Sequence, residues 1–223
     1  MTTAATALFL ALVLSLGRWQ LQRAAEKQGR QALFEARMAE APLRLTGAVP
    51  SAEPLLYRHV RAAGRWIGER QVYIDNRIHE GRAGFHVVAP LALEGGREAV
   101  LVNRGWVARD ASYPRAPRVP VPEGPVQVSG IATLPPARVL ELSSDTVAGD
   151  VWQNLSIDRF RDATGIAVLP VVVLADAPAP GLAAVRERPD AGAAKHEEYA
   201  FTWFALGATA LALWLVLNVK RAR

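Results

Sequence analysis

Apolar residues crowd the two ends of the chain and alternate with polar ones in between. Residues 200–219 (AFTWFALGATALALWLVLNV) carry no charge, and a helix of that length crosses about 30 Å of hydrocarbon. Trp203 and Trp214 lie near its two ends, as an aromatic belt places them, and Lys220, Arg221 and Arg223 stop the run. Residues 1–17 (MTTAATALFLALVLSLG) are also uncharged and reach the lower limit of a span. A secretory signal peptide is the rival reading, but the run has no basic start and no convincing small-x-small cleavage site. The helical pattern runs on through residues 18–41, broken only by Gly29, so the segment reads as an uncleaved anchor. Its abrupt start raises the expectation that upstream codons encode a basic arm.

After Pro42 the period shortens from helical to extended. Residues 43–49 (LRLTGAV) alternate apolar and polar positions as a half-buried strand does. Further strands are expected at 57–66, 71–75, 85–93, 99–107, 126–133, 151–155 and 169–174, punctuated by Gly, Pro, Asn and Asp. A short helix is expected at 156–164, with Ser156 as its cap and Asp158 in its first turn. Pro114, Pro117, Pro120, Pro122 and Pro125 make residues 109–125 a loop or an extended strap. Residues 177–194, rich in Ala, Pro and Gly, read as a linker back to the membrane. Many short strands with few helices predict a closed or nearly closed antiparallel barrel. The fold class is therefore a membrane protein of α+β type. Two transmembrane helices, 1–20 and 196–219, flank a β-rich, antiparallel barrel-like domain at 21–195 that begins with a helical extension, and residues 220–223 form a basic tail.

Composition adds exclusions. Hydrophobic residues make up 51% of the chain and charged residues 21%, which rules out a disordered chain. Cysteine is absent, removing disulfides, thiolate zinc sites and iron–sulfur clusters. The net charge is +5, but the arginines are scattered instead of forming a stripe, so nucleic acid is not an expected partner. Arg18, Arg23, Lys27, Arg30, Arg186, Arg188 and Lys195 flank the spans on the loop side, against three basic residues in the tail. That raw count favours a cytoplasmic loop, yet long translocated domains obey the rule loosely, and composition leaves the orientation open.

No standard enzyme motif is present among the described patterns of metal, phosphate or nucleophile chemistry, and the chain is not expected to be an enzyme. Asn-Arg recurs at Asn76-Arg77 and Asn103-Arg104, each ending a predicted strand. Turn chemistry accounts for the asparagines, which tolerate a left-handed backbone, but not for the arginines. His59 and His86 fall in predicted strands and His79 in a turn beside Glu80. His196 differs by position. Residues 196, 199, 200, 203 and 207 share one face of the second span, reading His196, Tyr199, Ala200, Trp203, Gly207, with Trp214 two turns below. An imidazole above an aromatic stripe with a small gap suits a haem axial ligand; the other reading is an interfacial histidine with ordinary belt aromatics.

Several blocks in order resemble the Surfeit locus protein 1 family of cytochrome c oxidase assembly factors. Residues 16–27 (LGRWQLQRAAEK) resemble the family's Gly-x-Trp-Gln-x-x-Arg segment, and Tyr57-Arg58-His59-Val60 with Gly64 its first barrel motif. Residues 84–90 (GFHVVAP) and 100–107 (VLVNRGWV) resemble its central pair, and 196–206 (HEEYAFTWFAL) the start of its second span. The resemblance implies a bacterial plasma (inner) membrane protein, multi-pass, with its main domain periplasmic. It implies a part in maturing the haem a-containing catalytic subunit of a terminal oxidase, with that subunit, the haem a synthesis machinery and membrane lipid as partners. Haem a is the implied cofactor, held through His196 as iron ligand, with Tyr199, Trp203, Trp19 and Gln20 around the macrocycle. Glu197 or a domain carbonyl is expected to orient the imidazole, and Gly207 to leave room for the apolar tail. Arg104 is expected to meet a haem propionate or a partner carboxylate, and the Asn103–Trp106 stretch to end a strand with Gly105 at positive φ and Trp106 packed inward. The alternative is a membrane scaffold that stabilises an oxidase intermediate without binding haem.

Overall fold

The structure, a computed structural model, describes residues 2–47, 49, 51–135, 147–186 and 192–219. It divides into a helical unit (residues 1–35 with 188–223) and a sheet-rich unit (36–187). The expected basic tail at 220–223 and Arg188 lie outside the described residues.

In the helical unit, α1 spans Thr2–Met38 and α3 spans Ala193–Val219. Both are long and apolar enough to cross a membrane. They lie antiparallel: Gly17 meets Phe204, and Val13 and Leu10 meet Gly207. A row of shielded positions on α1 at 6, 10, 13, 17, 20, 24, 27, 31 and 34, flanked by Leu16, alternates steps of four and three, and a row on α3 at 196, 200, 203, 207, 210 and 214, flanked by Phe204, does the same. That is the period of two helices packed along a seam. Gly17, Ala24, Ala200 and Gly207 are its most buried small residues, the type that lets helices approach closely where leucines face outward on both sides.

The sheet-rich unit is built from β1 (Leu43–Leu45), β2 (His59–Trp66), β3 (Val72–His79), β4 (Arg82–Leu93), β5 (Ala99–Ala108), β6 (Pro125–Thr133), β7 (Val147–Ala148), β8 (Val151–Trp152), α2 (Ile157–Thr164) and β9 (Val168–Ala175). The order is β1-β2-β6-β9-β5-β4-β3-β8-β7, and β2 pairs a second time with the end of β4. The run β2-β6-β9-β5-β4 therefore returns to β2. Gly64 makes that return feasible, since a Cβ there would lie 2.0 Å from the Ala92 carbonyl oxygen. Inside the run sit Val60, Ala62, Leu91, Val100, Val102, Leu169, Val171 and Val173 at alternate positions. The opposite faces of β5 and β9 bury Ala99, Leu101, Val168 and Val172 with Trp152 and Phe160. Both faces of these two strands are covered, which explains their nearly unbroken apolar sequence.

Three expectations are corrected here. The sheet is mixed: β1–β2, β3–β8 and β5–β9 run parallel. Alternation has the same period in either direction, so it could not reveal strand polarity. The strand expected at 71–75 continues to His79, and the one expected at 151–155 is only Val151–Trp152. Residues 177–183 are strapped to the sheet, not a free linker: Ala183 exchanges two backbone hydrogen bonds of 2.8 Å with Trp106. The capped helix stands as expected, with the Ser156 side chain accepting from the Arg159 amide and Asp158 in the first turn.

Candidate functional site

Two clusters gather the residues singled out from sequence. The first lies in the helical unit. His196 Nδ1 is 2.6 Å from Gln20 Oε1. An amide oxygen only accepts, so Nδ1 carries the proton and donates it, which leaves the Nε2 lone pair open. No partner for Nε2 occurs among the described residues. This is how a metal-binding imidazole is usually oriented through its second nitrogen. Glu197, expected to take this role, instead accepts from Gln28 Nε2 at 2.6 Å, because a residue next to the seam position points elsewhere.

The stripe is also corrected. Trp203 is half-buried on the seam, but Tyr199 is 58% exposed and off it. Steps of three and four both satisfied the sequence pattern, and packing against α1 chose the row through Ala200. The gap at Gly207 is filled: a Cβ there would stand 3.1 Å from Val13 Cγ2. No room remains in it for an apolar tail. Trp19 is exposed and carries the Arg23 guanidinium 5.9 Å from its ring centroid. Of the expected companions, Gln20 touches His196, Trp203 lies two turns along the seam, and Trp19 and Tyr199 face outward.

The second cluster is in the sheet-rich unit, around Arg104. Asn103-Arg104-Gly105-Trp106 does not end a strand; it forms a bulge inside β5, where Val87 pairs with Gly105 and Val88 with Asn103, leaving Arg104 as the extra residue. Gly105 has φ +137° as anticipated, and its amide donates to Asn103 Oδ1 at 3.1 Å. The other Asn-Arg pair is also at an irregularity, with Asn76 at φ 57° where the β3–β4 register shifts between Ile74 and Arg77. Both asparagines thus serve bulges, and an arginine follows each.

Arg104 is 4% exposed. Its Nη1 donates to Gln71 Oε1, its Nη2 donates to the Pro120 carbonyl at 2.9 Å, and the guanidinium stands 5.3 Å from the Trp66 ring centroid. Gln71 Nε2 in turn donates to Tyr73 Oη and to the Val119 carbonyl, and the Val119 amide donates to Tyr73 Oη. This network holds the proline-rich strap against the sheet. Burial pulls the guanidinium below its ordinary pKa, while the nearby Tyr73 hydroxyl opposes that. Among the described residues no ion pair joins Arg104 to a carboxylate. Sequence reasoning missed Trp66, Gln71 and Tyr73; no local pattern marks them, because they meet Arg104 only through strand pairing.

The remaining histidines have local partners. His59 Nε2 pairs with Asp176 at 2.7 Å. His79 ends β3 and lies against the Trp106 ring at 5.0 Å, and Trp106, buried as expected, donates from Nε1 to the Arg77 carbonyl. His86 is held neutral, its pKa lowered to about 4 by burial first and then by Arg77 and His79.

Two terminal helices of spanning length around a sheet-rich domain define the class. A comparison with known families matches residues 7–208 to the SURF1 family. The chain belongs to the SURF1 family. A SURF1-like protein of Monosiga brevicollis is 26% identical, covering 92% of this chain and 83% of the relative. Surfeit locus protein 1 of Mus musculus is 27% identical over 95% of this chain and 74% of its own length. A SURF1-like protein of Drosophila melanogaster is 26% identical, covering 95% and 75% respectively.

Proposed function

We propose that this chain is a non-catalytic biogenesis factor of cytochrome c oxidase, one that binds or guards haem a while the oxidase catalytic subunit matures. In this reading the two helices sit in the bacterial plasma membrane, and the sheet-rich unit is a small barrel on the periplasmic side. The observation that carries the haem assignment is the His196–Gln20 pair, which ties Nδ1 and leaves Nε2 as a free nitrogen donor. A bound haem would offer its iron to that nitrogen, with His196 as the residue that would hold it. Gln20 sets the tautomer and the ring orientation. Val13 fills the seam below His196, so the residues that would hold a bound macrocycle are His196 and the exposed Trp19 and Tyr199. That same filled seam favours the second reading, a scaffold that stabilises an oxidase intermediate without haem.

Purification from cells that make haem a separates the two. A stoichiometric haem absorbance band is expected in the wild type, absent in His196→Ala and shifted in Gln20→Leu, with the sheet unit still folded by circular dichroism. A full, unchanged band in His196→Ala rejects the ligand assignment, and a colourless wild type favours the scaffold.

A further inference from the structure

The run β2-β6-β9-β5-β4 closes around an apolar interior, and at one end of it the inward row Val100, Val102 continues to Arg104. A charge does not belong in that row. Removing a guanidinium from water costs several kcal/mol unless an opposite charge or a full set of acceptors replaces the water. Here the replacements are all uncharged: Gln71 Oε1, the Pro120 carbonyl and the Trp66 ring. The guanidinium has more N–H donors than these two oxygens use. Arg104 also lines a cavity of about 390 Å³ whose other walls include Trp66, Val102, Val126, Val128 and Ser129. That volume lies within the usual range of small-ligand pockets, and barrel mouths are a common place for them. The acidic residue on the rim, Asp176, is already paired with His59 at 2.7 Å. So the cavity offers apolar walls, an aromatic face and one buried cation that, among the described residues, makes no ion pair with the cavity's carboxylate, Asp176.

We infer that the mouth beside Arg104 is a binding site for a small amphiphilic carboxylate, with the acid group on the Arg104 guanidinium and the apolar body against Trp66 and the valines. A carboxylate matches the planar donor edge of arginine and replaces the missing counter-charge. Strand alternation puts Arg104 in the inward row after Val100 and Val102, and the bulge there, with Gly105 at φ +137°, resets the register for the residues beyond it. The inference does not rest on the haem reading, since its residues all belong to the sheet-rich unit.

The test uses the full chain in lipid nanodiscs and a fluorophenylpropionate probe followed by fluorine NMR, with the corresponding alcohol as uncharged control. The acid is expected to bind saturably and the alcohol at least about tenfold more weakly. Arg104→Gln, which keeps one donor for Pro120, is expected to lose at least about tenfold in affinity for the acid. Ala177→Trp, at the exposed rim of the cavity, blocks entry while leaving Arg104 in place, and so tests the site even if Arg104→Gln misfolds. His196→Ala is expected to bind the probe normally. Displacement of the probe by a porphyrin dipropionate assigns the site to a macrocycle's side chain; lack of displacement assigns it to a smaller acid. No saturable binding, equal binding of acid and alcohol, or full binding by folded Arg104→Gln or by Ala177→Trp overturns the inference.

Discussion

Replacing Gly105 by alanine isolates the bulge on which the Arg104 cluster depends. At φ +137° an L side chain is strained, at a cost of about 1–3 kcal/mol. The added Cβ would also stand 2.7 Å from Leu182 Cβ and 2.9 Å from the Ala183 carbonyl oxygen. Leu182 belongs to the packed layer with Tyr73, Phe85 and Val87, and the Ala183 carbonyl accepts from the Trp106 amide. Neither can retreat freely, so an overpacking cost of about 1–3 kcal/mol is added. The sum is about 2–6 kcal/mol. Gly149 is the matched control: its φ is +66° and nothing lies within 4 Å of its Cβ position. Gly149→Ala therefore carries only the left-handed cost of about 1–2 kcal/mol. For a unit of residues 36–187, each kcal/mol moves the thermal midpoint by roughly 2–4 °C. Thermal unfolding of both variants, followed by circular dichroism, should show a midpoint drop for Gly105→Ala several degrees larger than for Gly149→Ala. Equal drops would show that the strap of residues 177–183 does not press on the bulge, and the packing argument would fail.

Two other outcomes follow from named contacts. His86 has a folded pKa of about 4 against 6.5 in the unfolded chain, so between these values the unfolded state binds the extra proton. Its contribution is complete above pH 6.5 and is lost as pH falls through about 4, up to about 3 kcal/mol; urea titrations from pH 7 to 4 should show this slope, and His86→Gln should flatten it. Gly17→Leu should lower the thermal midpoint of the helical unit, because a Cβ at Gly17 would stand 2.5 Å from the Phe204 ring, whereas Gly29→Leu, with nothing within 4 Å of its Cβ position, should not; equal effects would refute the packed seam.

Local pattern alone determined the apolar ends, the places where most strands start, the Ser156 cap and a face of α3 holding His196, Tyr199, Ala200, Trp203 and Gly207, from which packing then dropped Tyr199. Each depends on residues within a few positions of one another, and period two or 3.6 assigns them to a common face whatever that face later meets. What meets the face is a different matter. The gap at Gly207, legible as a hole, is occupied by Val13 from almost two hundred residues away in sequence. The imidazole's partner is Gln20 and not the adjacent Glu197. Polarity of the β5–β9 pair, the return of β4 to β2 and the bulge at Arg104 are properties of register between distant segments. Asn-Arg repeated in the sequence signalled that something recurs; alternation put Arg104 in one row with Val100 and Val102, but only the closing of distant strands and the contacts from Gln71 and Pro120 made it a buried cation facing a cavity, because a row becomes interior only when other segments cover it.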